Sequence, residues 1–349
     1  MTCSALHDTW PAGSAHLAEF CGVTTPLDFS NVRAEFDAVR SGCGIYDLSW
    51  RAKIALRGED RVRWLNGMLT NNIRDLAESS GVYAFVLNPQ GKIQADLYAY
   101  NRGDAILLDT DRSQLAKVLA IFDHYIIMDD VTISDLGEKL TALGVQGPNS
   151  AKILRGAGFE VPELQPLQVA DITCNGVAVT VVRAEAWKGE AYELWLAPQD
   201  AAAIWGQLVE IGAVPCGTEA QRCYRMVAGV PRFGEDIRER DLPQETGQER
   251  ALHFSKGCYV GQEIVERIRS RGQVRRIFGR FRLEGLPPAP GTKIVSAGKE
   301  VGEITSSANI PTSGGPVVIA LGYIRREAMN QALQADTSEV KFWDGEMAL

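Results

Sequence analysis

The 349-residue sequence predicts α+β layers followed by a small C-terminal β-barrel. Three observations carry this. Segments with strand alternation and segments with helical spacing interleave as far as about residue 212. Within residues 52–136 they follow the order strand–helix–strand–strand–helix–strand, the split βαβ arrangement of ferredoxin-like layers. After Gly272 the helical spacing stops, and short strands separated by Pro and Gly take over.

Residues 1 to about 30 are poorly patterned and include a frayed terminus. Glu35 to Arg40 is helix-like and is stopped by Ser41-Gly42-Cys43-Gly44. Ala52 to Gly58 alternates as a strand, and Glu59-Asp60 opens a helix with Val62, Trp64, Leu65 and Met68 apolar. Val82 to Leu87 and Ile93 to Tyr100 form a hairpin about the turn Asn88-Pro89-Gln90-Gly91. Ala105 to Leu108 is a further strand, Ser113 to His124 an amphipathic helix and Val131 to Leu136 another strand. A second α+β layer spans roughly residues 140–212. It holds strands over Leu140 to Gln146, Val177 to Ala184 and Tyr192 to Leu196, a short helix from Ser150, and a helix over Ala201 to Ile211. Residues 232–248 are charged, turn-rich and poor in apolar residues, which predicts an exposed loop. The barrel strands are Arg276 to Leu283, Lys293 to Val295, Val301 to Ser306, Val317 to Ile324 and Val340 to Trp343. No fixed-period repeat is visible.

The composition is that of a globular protein, 45% hydrophobic and 23% charged. It has no run of about eighteen apolar residues and no basic segment leading an apolar block, so a cytoplasmic protein without a membrane partner is expected. Seven dispersed cysteines without a Cys-x-x-Cys pair read as reduced thiols rather than a disulfide framework or a metal site, and the four histidines show no metal spacing. A net charge of −8 opposes general nucleic-acid binding. The local exception is the run Arg267, Arg269, Arg271, Arg275, Arg276, Arg280 and Arg282. It is either a solvated face or an anion site for a polyglutamate tail or an RNA backbone.

The most unusual stretch is Lys256-Gly257-Cys258-Tyr259-Val260-Gly261-Gln262-Glu263. Ile264, Val265 and Ile268 follow at helical spacing, placing Cys258 just ahead of a helix N-terminus. Unpaired N–H groups there, with the Lys256 cation, favour a thiolate. Gly257 and Gly261 permit a sharp turn or a close approach. The alternative is a small buried apolar residue at an ordinary loop-to-helix junction.

This motif resembles the signature of the YgfZ family, folate-binding proteins linked to maturation or repair of iron–sulfur clusters. That family is in turn similar to the glycine cleavage T-protein (aminomethyltransferase). Gly44-Ile45-Tyr46-Asp47-Leu48-Ser49, Leu143 to Pro148, Pro215-Cys216-Gly217 and Ala320-Leu321-Gly322-Tyr323 also resemble T-protein segments, so the likeness runs from about residue 35 to the end. It implies a T-protein-like folate-binding fold, a cloverleaf of ferredoxin-like α+β subdomains around a central channel, plus the barrel. The expected domains are 1–272, made of subdomains at about 30–136 and 137–272 with interleaving allowed, and 273–349.

The resemblance implies tetrahydrofolate or a one-carbon derivative as cofactor, and iron–sulfur client or assembly proteins as partners. A role in tRNA modification, with tRNA as a partner, is left open. It casts Cys258 as the functional thiol, with Lys256 beside it and Gly257, Tyr259, Gly261, Gln262 and Glu263 completing the motif. Glu193 matches the carboxylate that pairs with the pteridine ring, since a carboxylate can accept two hydrogen bonds from adjacent N–H groups. The alternative is an outward-facing strand glutamate. Arg225 matches an arginine near the folate, with a structural ion pair as the alternative. Tyr83 and Trp187 are candidates for stacking on the ligand or for ordinary core packing. The T-protein has consecutive aspartates after its hairpin turn, where this chain has Ala95 and Asp96, and an Asp where it has Cys258. Whether the protein is an enzyme therefore stays open. Asp96 would be the acid–base residue of an aminomethyl- or methyltransferase, or else a solvent-facing strand aspartate.

Overall fold

The structure, a computed structural model, describes residues 2–10, 13–186 and 188–343. The chain forms two compact units, Met1–Ala84 with Leu97–Gln221, and Phe85–Asp96 with Arg222–Leu349.

The first unit opens with β1 (Thr2–Cys3), β2 (His16–Phe20) and β3 (Val23–Asp28), a sheet in the order β1-β3-β2. Much of the poorly patterned segment is thus ordered as strands. Leu6 and Val23 are fully buried, and Thr25 donates to the buried Asp47 carboxylate at 2.7 Å. Strands this short carry too few residues to show a period. Next comes α1 (Val32–Ser41), capped by the Asn31 side chain, which accepts from the Ala34 N–H at 3.0 Å. It leads into β4 (Gly44–Asp47).

The first layer is β5 (Arg51–Arg57), α2 (Arg61–Met68), β6 (Gly81–Leu87), β7 (Ile93–Asn101), β8 (Ile106–Asp111), α3 (Arg112–Tyr125) and β9 (Thr132–Asp135). Its sheet has the order β6-β7-β8-β5-β9. With β6 taken as an added edge strand, the remainder is the expected split βαβ arrangement. The tip of the β6–β7 hairpin, Phe85–Asp96, belongs to the second unit.

The same element order then recurs as β10 (Thr141–Gln146), α4 (Ser150–Gly156), β11 (Val169–Cys174), β12 (Val177–Arg183), β13 (Ala191–Leu196), α5 (Ala201–Glu210) and β14 (Val214–Pro215). The sheet runs β11-β12-β13-β10-β4-β14, so β4 is inserted between β10 and β14. The repeat is one of architecture, invisible as residue identity. β11 goes unpredicted because only its end residues, Val169 and Cys174, are buried.

One face of this second sheet packs Leu143, Val145, Leu194 and Leu196 against Leu154 of α4 and Ile204, Trp205 and Leu208 of α5. Each such buried side chain stabilises by roughly 1.5–3 kcal/mol. Alternation along β13 sends Glu193 and Trp195 to the opposite face, where they meet Lys53 of β5 and Tyr100 of β7. The first unit thus holds a polar and aromatic layer between its two larger sheets.

A helix, α6 (Thr218–Ala228), carries the chain into the second unit, where a long connection leads to α7 (Gln262–Arg271). The closed barrel follows, built from β15 (Arg276–Leu283), β16 (Lys293–Ser296), β17 (Lys299–Ile310), β18 (Val317–Arg325), β19 (Leu333–Ala335) and β20 (Ser338–Phe342). Its order is β15-β18-β17-β16-β19-β20 around a core that includes Phe281, Ile294, Ile304 and Ile324. The three-residue β19 lacks a sequence signal of its own.

The stretch 232–248 is not an exposed loop. Asp236, Ile237, Asp241 and Thr246 are fully buried and Glu245 nearly so. Its charges are matched: Arg225 binds Asp236, and Arg276 binds Asp241 and Glu245. Among the described residues no helix is long and apolar enough to cross a membrane.

Candidate functional site

Glu193 sits at the rim of the layer between the two sheets, its side chain 18% exposed. Its Oε2 accepts the Trp195 indole N–H at 2.8 Å, and the Lys53 ammonium lies 3.8 Å from the same oxygen. Oε1 has no hydrogen-bond partner among the described residues. Across the sheet Glu193 is paired with Gly144 of β10 and Val182 of β12. A Cβ on Gly144 would come within 2.0 Å of the Tyr46 ring, so only glycine lets that ring lie across β10 at this position.

Behind Glu193 the charges are buried and paired. Lys53, 1% exposed, donates to Asp109 at 2.7 Å and places its ammonium 4.6 Å from the centre of the Trp195 ring. Arg51 holds both Asp109 oxygens, at 3.1 and 2.7 Å, and Asp111 at 2.6 Å. Burial disfavours the charge on Asp109, but Arg51 and Lys53 outweigh it and hold the carboxyl below its usual range. Burial works likewise against the Arg51 guanidinium, which Asp109 and Asp111 keep charged. Tyr100 packs edge-on to Trp195 at 5.1 Å. Burial, then the charges of Glu193 and Asp109, push its phenol well above the ordinary value and keep it neutral. Tyr98 stacks on Tyr100 at 6.4 Å and meets Tyr83 at 5.0 Å, continuing the row of rings that begins at Trp195.

The structure therefore brings Tyr83 and Glu193 into one connected cluster. Trp187 lies outside the described residues. Sequence reasoning missed Tyr46, Lys53, Tyr98, Tyr100, Asp109 and Trp195. Strand alternation does place Trp195 with Glu193 and Tyr98 with Tyr100, but a period says nothing of which strands meet.

In the second unit Cys258 is exposed, in the loop that precedes α7. The alternative of a buried apolar cysteine is overturned at this position. It describes Cys43 and Cys216 instead: burial pushes the Cys43 thiol up to about 11 and the Cys216 thiol further. Lys256 is buried, its ammonium 4.9 Å from the centre of the Tyr259 ring. Burial, with Glu266 nearby, pushes the Tyr259 phenol up to about 12. Gly261 has φ +82°, and a Cβ there would come 2.6 Å from the Asn88 carbonyl oxygen. Gly91 of the same hairpin turn has φ +72°, and its Cβ would come 2.7 Å from Ile264 of α7. The two glycines thus serve a close approach between the motif and the turn Asn88–Gly91. Glu263 forms an i,i+4 pair with Arg267 on the exposed helix surface. Gln262 opens α7, its N–H bonded to the Tyr259 carbonyl at 3.2 Å.

Arg225 donates to Asp236 at 2.6 Å and to Glu235 at 2.5 Å, the ion-pair alternative among its two readings. Asp96 is half-buried on β7. The arginine run divides. Arg267 and Arg269 pair with Glu263 and Glu266 on α7, whereas Arg276 and Arg280 are built into the structure, Arg280 stacking on Trp343 at 4.2 Å. Arg267 and Arg275 also border a cavity of about 340 Å³ beside Leu242, Ile268 and Val274.

The fold and this site define a two-layer α+β protein with a C-terminal barrel, offering a half-committed carboxylate against an aromatic wall. Residues 6–256 match the family model of the GCVT N-terminal domain, and residues 275–347 match that of the CAF17 C-terminal beta-barrel domain. The chain belongs to the glycine cleavage T-protein (GCVT) family. It is 32% identical over 325 residues to an aminomethyltransferase of Rubrobacter xylanophilus, covering 92% of this chain and 87% of that protein. It is 27% identical over 324 residues to an aminomethyltransferase of Bacillus subtilis, covering 90% and 89%. Its fold is similar to the crystal structure of glycine cleavage system aminomethyltransferase T from Bartonella henselae, with a TM-score of 0.87, 20% identity and coverage of 99% and 97%.

Proposed function

We propose that the protein binds tetrahydrofolate at Glu193 and acts through Cys258 as a YgfZ/CAF17-type factor that assists assembly or repair of iron–sulfur clusters. The observation that carries this reading is the exposed thiol of Cys258, in a loop seated by Gly261 and Gly91. The match of the barrel to the CAF17 model supports it. The cluster fits a pterin: Glu193 Oε1 is an available acceptor for an N–H donor, and the half-buried Tyr98 ring supplies flat apolar surface. Bound tetrahydrofolate supplies a carrier for a one-carbon unit. The chain itself contributes the acceptor, the aromatic wall and a separate thiol for transient sulfur or cluster chemistry.

The test is a tetrahydrofolate titration of wild type, Glu193→Ala and Cys258→Ser, together with complementation of a deletion strain. Saturable binding weakened at least about tenfold in Glu193→Ala and unchanged in Cys258→Ser is expected, a loss of about 1.4 kcal/mol. Cys258→Ser should fail to complement. No binding by wild type overturns the folate site, and full complementation by Cys258→Ser overturns the role of the thiol.

A second reading, folate-dependent aminomethyl transfer with Asp96 polarising the reacting nitrogen, is favoured by the names of the relatives matched over most of the chain. It requires turnover of an aminomethyl-lipoyl or N-methyl substrate that Asp96→Asn abolishes. Absence of turnover across such substrates counts against it.

A further inference from the structure

Glu193 is a surface-reaching carboxylate whose two oxygens are treated differently. Oε2 is committed to the Trp195 indole N–H and faces the Lys53 ammonium, while Oε1 is left unbonded among the described residues. Lys53 cannot drift away, because Asp109 fixes it at 2.7 Å and Asp109 is itself gripped by Arg51. From these contacts we infer that Lys53 and Trp195 are positioning residues for the pterin, fixing the orientation of Glu193 so that Oε1 is the oxygen offered to the ligand.

The inference rests on the folate reading above. Its physical content is that a carboxylate side chain without fixed partners would swing between rotamers. The ammonium of Lys53 and the directed N–H of Trp195 both oppose this by holding Oε2. The charged and titratable groups around Glu193 are Arg51 and Lys53 on β5, Tyr98 and Tyr100 on β7, Asp109 and Asp111 on β8, and Tyr46 on β4. Of these only the Lys53 ammonium lies within ion-pair reach of the carboxylate. Gly144 and Val182, its cross-strand neighbours, carry no charge.

Lys53→Met tests the charge and Trp195→Phe the directed donor. Lys53→Met leaves Asp109 with two hydrogen bonds from Arg51, so no buried carboxylate is stranded. Tetrahydrofolate is titrated by calorimetry into the full chain, for wild type, Lys53→Met, Lys53→Arg, Trp195→Phe and Glu193→Ala.

The expected result is a Kd raised about tenfold in Lys53→Met, because the ammonium 3.8 Å from Oε2 no longer holds the carboxylate in place. Trp195→Phe should raise Kd by several-fold. A loss in Lys53→Met that Lys53→Arg, which restores a cation, does not recover makes Lys53 merely structural and overturns the inference. So does wild-type affinity in both variants. If Lys53→Met does not fold, Trp195→Phe decides alone, wild-type affinity counting against the inference. Failure of wild type itself to bind refutes the folate reading instead, a distinct result.

Discussion

Two sets of buried or half-buried carboxylates, one in each unit, show how the same residue type serves different ends. In the second unit Asp236 is saturated. Its Oδ1 accepts from the Thr305 and Ser306 hydroxyls, both at 2.6 Å, and its Oδ2 accepts from Arg225 at 2.6 Å and from the Arg232 N–H at 3.0 Å. Nothing is left to offer a ligand. In the first unit Glu193 has one oxygen engaged and one unbonded among the described residues. A carboxylate with every acceptor site filled holds the chain together, and a half-filled one can recognise something. The difference also separates the two residues inferred for the folate, since Arg225 serves the saturated cluster.

The comparison breaks most sharply at Asp236. Asp236→Ala removes the acceptor of four donors inside the fold and leaves the Arg225 guanidinium with Glu235 and the Val230 carbonyl. The expected destabilisation is roughly 3–5 kcal/mol, measured as a fall in the urea midpoint. If Asp236→Ala unfolds at the wild-type midpoint, the network is ornamental and the contrast with Glu193 fails. Glu193→Ala, which strands only the Trp195 indole N–H, should lower the midpoint less while weakening the ligand response at least about tenfold.

How far each carboxylate was legible in the sequence follows from where its partners lie. Glu193 stood out through a resemblance, and β-alternation put Trp195 on its face. Lys53, Tyr100 and Asp109 come from another sheet, and no spacing rule joins them. Residues 232–248 were read as exposed because composition reports charge and not partners. Those partners, Arg276, Thr305 and Ser306, are supplied by the barrel strands. The order of strands and helices in both layers was largely visible, because periodicity is local. The architectural repeat and the insertion of β4 were not, because sheet order depends on pairing between distant segments.

The next effect in size belongs to the glycines that seat the motif. Gly261→Ala adds a Cβ 2.6 Å from the Asn88 carbonyl oxygen at a backbone φ of +82°. The expected loss is about 2 kcal/mol, from strain at positive φ together with the clash. Thermal unfolding of the variant measures it. An unchanged Tm would mean that the motif and the hairpin turn do not need their close approach.

The smallest expected effect on stability, and the one that tells most about function, is that of Cys258→Ser. The thiol is exposed and its neighbour Tyr259 carries the packing, with 8% exposure. Replacing sulfur by oxygen there should move stability by no more than about 0.5 kcal/mol, as for surface substitutions in general. Buried cysteines of this chain behave otherwise: Cys216→Ser places a hydroxyl where the side chain is 1% exposed and should destabilise measurably. A structural cysteine would therefore show itself by a loss of Tm. If Cys258→Ser keeps the wild-type Tm and tetrahydrofolate affinity yet fails to complement, only its chemistry is left to explain the loss. A Tm lowered by several degrees would instead return Cys258 to the structural class, and the exposed loop would have to be reinterpreted as packing.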